Sequence, residues 1–180
     1  MSSDWYPKAV RQPSPHQDDR PAGAAADLLV LHNISLPPNA FGAGHIQRFF
    51  AGSLDSTCHP WFERLNGVRV SAHFLIERSG AITQFVPLSK RAWHAGLSYF
   101  QGRERLNDYS VGVELEGADH LPFTAEQYRA LAGLSGWLFE HSEIGPGQVT
   151  AHETIAPFRK SDPGPLFDWL TYYRELESRP

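Results

Sequence analysis

The sequence predicts an α/β fold: a single domain with a mixed central β-sheet flanked by helices. Three observations carry that expectation. Residues 28–31 are an unbroken apolar run, the pattern of a strand covered on both faces. Residues 110–116 alternate, with Val111, Val113 and Leu115 on one side and Gly112, Glu114 and Glu116 on the other. Thr124 stands three residues before Gln127, a capping box that opens a long helix. Strand and helix patterns mix without strict alternation, so the sheet is expected to be mixed.

Taken in order, residues 1–27 carry Pro7, Pro13, Pro15 and Pro21 and read as an extended arm lying on the domain, with no regular element. Trp5, Tyr6 and Val10 give that arm something to pack with. The domain proper spans 28–180. Residues 34–44 are a loop by composition, and 45–51 a short helix. Residues 72–77 and 81–86 flank Arg78-Ser79-Gly80, a hairpin whose glycine is free to take positive φ. An irregular stretch runs from 87 to 109. The capped helix extends to about His141, with Tyr128, Leu131, Ser135, Leu138 and Phe139 at core spacing. A short strand over 148–151 follows. Pro165 opens a last helix over 166–177, with Phe167, Leu170 and Tyr173 as its buried stripe.

Composition excludes several classes of function. Sixteen Lys and Arg against 20 Asp and Glu give a net charge of −4, and no basic run offsets it, so nucleic acid is not the expected partner. The apolar runs are too short to cross a bilayer, so no membrane partner is expected either. One cysteine, Cys58, rules out an internal disulfide framework and a multi-cysteine metal site. The lone thiol and the absence of a visible secretory signal predict a cytoplasmic protein, and a monomer is expected.

The nine histidines are the unusual feature. His152-Glu153 resembles the start of a helical zinc-protease motif, but Ala156 occupies the place of its second histidine. His32 and His152 lie where predicted strands end, and His73 lies inside one. Pro163 holds Asp162 out of helical geometry at the entrance to the last helix. Two imidazoles and one carboxylate are a common protein set for a catalytic zinc with an open fourth position. A histidine that ends a strand is more often an ordinary hydrogen-bonded residue, and nine histidines permit many triplets. Spacing alone therefore leaves the set open. His141, near a helix C-terminus, is explained by the helix dipole.

Six segments occur in a telling order. They are LVLHNISLPP at 29–38, RVSAH at 69–73, RAWHAG at 91–96, QGRER at 101–105, NDYSVGVELEG at 107–117, and 151–165, which ends in KSDPGP. Together they resemble the zinc-dependent N-acetylmuramoyl-L-alanine amidases, a family that includes phage lysozyme-type amidases and peptidoglycan recognition proteins. Within it they are similar to the cytoplasmic branch that acts on 1,6-anhydro-muropeptides in peptidoglycan recycling.

The resemblance implies that 28–180 is a zinc-amidase catalytic domain whose Zn2+ ligands are His32, His152 and Asp162. It makes Glu114 the general base and Lys160 the stabiliser of the transition state. The residues agree: Glu114 projects from a face made roomy by Gly112, whereas Glu116 reads as a solvent-facing carboxylate. The bond cut joins the lactyl group of the muramoyl sugar to L-alanine. Arg69 and Arg105 are candidate clamps for stem-peptide carboxylates, because guanidinium grips a carboxylate in a fork. Asn33 and Trp93 are candidates for contact with the substrate amide and the sugar face. A non-catalytic binding module on the same fold would lack a ligand or the base, and this chain has all five positions.

Overall fold

The computed structural model describes residues 4–179. Its strands are β1 (Val10–Arg11), β2 (Gln17–Asp19), β3 (Leu28–Ile34), β4 (Phe74–Ile76), β5 (Ile82–Gln84), β6 (Lys90–Ala92), β7 (Tyr99–Phe100), β8 (Arg103–Glu104), β9 (Ser110–Glu116) and β10 (Val149–Ala151). Its α-helices are α1 (His45–Phe50), α2 (Ala125–His141), α3 (His152–Ile155) and α4 (Trp169–Glu177). Six strands form the main sheet in the order β1-β5-β4-β9-β3-β10. The β4/β5 pair is antiparallel and every other pair in that sheet is parallel, so the sheet is mixed, as expected.

The alternation in β9 sorts its two faces. Val111, Val113 and Leu115 join Leu29 and Leu31 of β3 and Phe74 and Ile76 of β4 in a core covered by α2 and α4. The opposite face carries Leu75, His32 and Glu114; Leu75 packs under α1 beside Phe49 and Phe50. Parallel pairing sets His32 directly across from Glu114. The capping box forms, and the buried Gln127 amide also donates to the carbonyls of Ile76 and Glu116, which fixes α2 across the ends of β4 and β9.

Several expectations are corrected. The arm contains short strands: β1 runs parallel to β5, and β2 pairs with β6. Prolines at 13 and 15 merely interrupt them. Tyr6 is buried against Trp137, but Val10 is 67% exposed on the sheet edge. The stretch from 87 to 109 is not wholly irregular, since β6, β7 and β8 lie in it. His73 immediately precedes β4 rather than lying inside a strand.

Helix α4 starts at Trp169, because the Asp168 side chain accepts from the backbone N–H groups of Leu170 and Thr171 and caps the helix there. Phe167 is buried but stands before the helix. Leu170 is 58% and Tyr173 38% exposed, and the inward residue is Tyr172, whose hydroxyl donates to Ser135. Glu116 is also not solvent-facing. It is buried and accepts from the backbone N–H groups of Gly42 and Arg78, two loops that close over the end of β9.

Candidate active site

The centre of the molecule's chemistry lies at the C-terminal ends of three parallel strands. His32 projects from β3, Glu114 from β9, and His152 sits where β10 turns into α3. Asp162 arrives from the following loop, which is tied back by the Glu153 N–H donating to its carbonyl at 2.9 Å. The Asn33 amide donates to the Pro163 carbonyl at 2.9 Å and to Asp119 at 2.6 Å, so it clamps the loop that presents Asp162.

Three donor atoms converge. His32 Nδ1 lies 2.8 Å from His152 Nδ1 and 3.0 Å from Asp162 Oδ2, and His152 Nδ1 lies 2.9 Å from the same oxygen. Among the described residues this trio is the group of His, Cys, Asp and Glu side chains close enough to share an ion. The outer nitrogen of His152 faces the Ala95 carbonyl at 3.3 Å. A carbonyl can only accept, so Nε2 carries the proton and Nδ1 presents a lone pair. Lone pairs packed this closely repel one another unless a cation lies among them, a proton in the bare chain or a metal ion. Two imidazoles and a carboxylate with room beside them fit a divalent ion such as zinc.

That room is a cavity of about 220 Å³ lined by the trio together with Asn33, Trp93, His94, Glu114 and Lys160. Glu114 Oε2 is inaccessible to solvent and has no hydrogen-bond partner, an orphan carboxylate oxygen at the cavity wall. Burial pushes the Glu114 carboxyl well up, Asp162 adds to the shift, and Lys160 opposes it. Burial lowers His32 to about 4, so its imidazole is neutral near pH 7. Burial alone would raise the Asp162 carboxyl, yet contact with His152 and His32 outweighs burial and holds it below the usual range. Lys160 is exposed and lines the cavity.

The structure thus brings His32, His152, Asp162, Glu114, Lys160, Asn33 and Trp93 to one cavity. It does not bring Arg69 and Arg105 there. Arg69 lines a neighbouring cavity of about 240 Å³ with His16, Phe49 and Phe62. Arg105 lines a third with Leu97, Tyr99 and Phe158, and lies 3.4 Å from the Asp108 carboxylate. His73 is buried apart from the trio, with Nδ1 accepting from the Gly112 N–H.

Reading the sequence missed three contributors. Asp18 accepts from Trp93 Nε1 at 3.0 Å and so orients the indole on the cavity wall, and His16 stacks on the same ring. His94 contacts His32 Nε2 at 2.9 Å. Its signal was present in the segment 91–96, but nothing in an irregular stretch says which way a side chain turns.

This fold and this cavity define a hydrolase built around a metal-competent trio with an orphan carboxylate beside it. Comparison with known proteins gives the class. Residues 20–165 match the model of the N-acetylmuramoyl-L-alanine amidase family (Amidase_2), so the chain belongs to that family and is an amide-hydrolysing enzyme. More narrowly, it is 49% identical over 172 residues to the 1,6-anhydro-N-acetylmuramyl-L-alanine amidase AmpD of Citrobacter freundii, covering 96% of this chain and 92% of that one. It is likewise 49% identical to the AmpD of Escherichia coli K12, covering 96% and 94%. A crystal structure of a selenomethionine AmpD derivative superposes with a TM-score of 0.92 at 48% identity, covering 98% of each chain. The Escherichia coli amidase AmiD, solved with anhydro-N-acetylmuramic acid-L-Ala-D-gamma-Glu-L-Lys, has a TM-score of 0.61 at 32% identity, covering 87% of this chain and 60% of that one. No described helix is long and apolar enough to cross a membrane.

Proposed function

We propose that this enzyme hydrolyses the amide between the lactyl group of a 1,6-anhydro-N-acetylmuramoyl sugar and L-alanine, in cytoplasmic peptidoglycan recycling, and that it works as a monomer with zinc. The observation that carries the reading is the convergence of three donor atoms beside an unpartnered carboxylate oxygen. Relatives named for that substrate, and the AmiD complex with an anhydro-muropeptide, support the choice of substrate.

In this reading His32, His152 and Asp162 hold the metal, which supplies Lewis acidity to the scissile carbonyl. Glu114 takes a proton from the attacking water and passes it to the departing amine. A carboxylate with a raised pKa suits both steps, because it is basic enough to accept and acidic enough to return the proton. Lys160 turns its ammonium to the oxygen that gains charge in the tetrahedral state, an interaction worth about 10²- to 10³-fold in rate. The Asn33 NH₂ is committed to Asp119 and Pro163, so its carbonyl oxygen is the atom that meets the substrate N–H. Trp93 offers its face to the sugar. Arg69 and Arg105, in cavities that flank the centre, take carboxylates of the stem peptide at a distance from the reacting bond.

The test is product analysis by mass spectrometry with the full chain, first stripped by a chelator and then resupplied with zinc, on anhydro-muropeptide and on intact murein. The expected result is no cleavage without metal, release of the intact stem peptide with it, and preference for the anhydro substrate. Full activity after metal removal, or equal kcat/KM on murein, overturns the proposal.

A further inference from the structure

We infer that His94 and Ser110 form a directional hydrogen-bond relay that fixes which nitrogen of His32 is bare, making His94 a positioning residue for the metal trio. The inference rests on the proposed metal role of His32. Its direction follows from donor and acceptor chemistry alone.

The relay begins at Ser110, whose hydroxyl donates to the Leu106 carbonyl at 2.6 Å. A hydroxyl has one proton, so toward its other neighbour Ser110 can only accept. That neighbour is His94 Nε2 at 3.1 Å, which therefore carries the ring proton. His94 Nδ1 is then an acceptor, and it lies 2.9 Å from His32 Nε2. His32 accordingly donates from Nε2, and its Nδ1 is left as a lone pair facing His152 and Asp162.

The other histidine of the trio gets the same result directly from the Ala95 carbonyl, the residue next to His94. One short segment thus sets both imidazoles. The second partner of a metal-bound histidine orients the ring and raises its basicity, and loss of such a partner weakens metal binding about 10- to 100-fold.

The backbone makes room for this arrangement. His94 rests against Gly112, where a Cβ would lie 2.4 Å from its Cγ. The Asn107 side chain accepts from the His94 and Ala95 N–H groups at 3.1 and 2.7 Å and holds the segment in place.

The test measures zinc affinity by competition with a chromophoric chelator in the full chain, for the parent and for His94→Leu, His94→Asn, Ser110→Ala and His32→Ala. Long-range proton–nitrogen NMR correlations of the zinc-loaded parent report the ring tautomers. His94→Leu removes the acceptor, and its zinc Kd is expected to rise about 10- to 100-fold. His94→Asn presents an amide oxygen near the position of Nδ1 and is expected to recover affinity to within a few-fold. Ser110→Ala is expected to fall between them. The NMR should place the His94 proton on Nε2, and this decides the matter even if His94→Leu fails to fold. Unchanged zinc affinity in His94→Leu, or a proton on His94 Nδ1, overturns the relay while leaving the metal reading intact. A parent that does not bind zinc, or a His32→Ala variant that binds it equally well, overturns the metal reading instead.

Discussion

Replacing Gly112 by alanine puts a methyl group where the His94 ring now lies. The added carbon would stand 2.4 Å from Cγ, 2.6 Å from Nδ1 and 2.7 Å from Cδ2, against an ordinary contact of 3.4–4 Å. The ring must retreat by about 1 Å, and overpacking of this kind costs about 1–3 kcal/mol. Alanine recovers about 0.5–1 kcal/mol in a strand through its lower chain entropy, so a net destabilisation of up to about 2.5 kcal/mol is expected. The same retreat breaks the 2.9 Å contact with His32, so zinc affinity should fall along with stability. Urea denaturation of the metal-free chain reads the first effect and chelator competition reads the second. A Gly112→Ala protein with unaltered stability and unaltered zinc affinity would refute the close approach of ring and strand on which the reasoning stands.

Two other expectations follow from buried titratable groups, one in the cavity and one apart from it. Glu114→Gln should keep zinc affinity but lower kcat about 10²- to 10⁴-fold. The folded carboxyl has a raised pKa, so at pH 7 its ionisation works against the fold, and the neutral amide should stabilise the metal-free chain. A drop in stability together with normal turnover would remove Glu114 from its role. The second concerns acid. Burial lowers His73 to about 3, with Arg20 adding to the shift, whereas the unfolded chain takes up that proton near 6.5. Stability is therefore full above pH 6.5 and should decline by about 1.4 kcal/mol per pH unit as the pH falls from 6.5 toward 3. Denaturant midpoints of the metal-free protein that stay flat between pH 7 and pH 5 would contradict this.

Much of the site's framework is legible in the sequence because it depends on short-range rules. The apolar run of β3 and the alternation of β9 give strand identity and facing, and the face shared by His32 and Glu114 follows from pairing those two strands in register. The capping box marks the start of α2 without help from the rest of the fold. What stays hidden depends on partners far away in the chain. Glu116 looks like a surface carboxylate until two loops, at Gly42 and Arg78, deliver backbone donors to it. Pro165 and Asp168 are both good opening signals for α4, and only packing decides between them. Phe167 packs edge-on against Phe123 and at a tilt against Tyr128 ahead of the helix, leaving Asp168 as the cap. His94 belongs to a segment with no period, so its direction comes from Gly112 and Asn107 rather than from its own neighbours.

The three converging donor atoms come from positions 120 and 130 residues apart, and the wall beside them is oriented by Asp18. A growing chain therefore holds only part of this centre until residue 162 has been added. Closing loops of that length costs chain entropy that only the finished contacts repay, so the centre depends on the tertiary structure around it. Chains truncated before Asp162 lack one of the three donor atoms and should be hydrolytically silent.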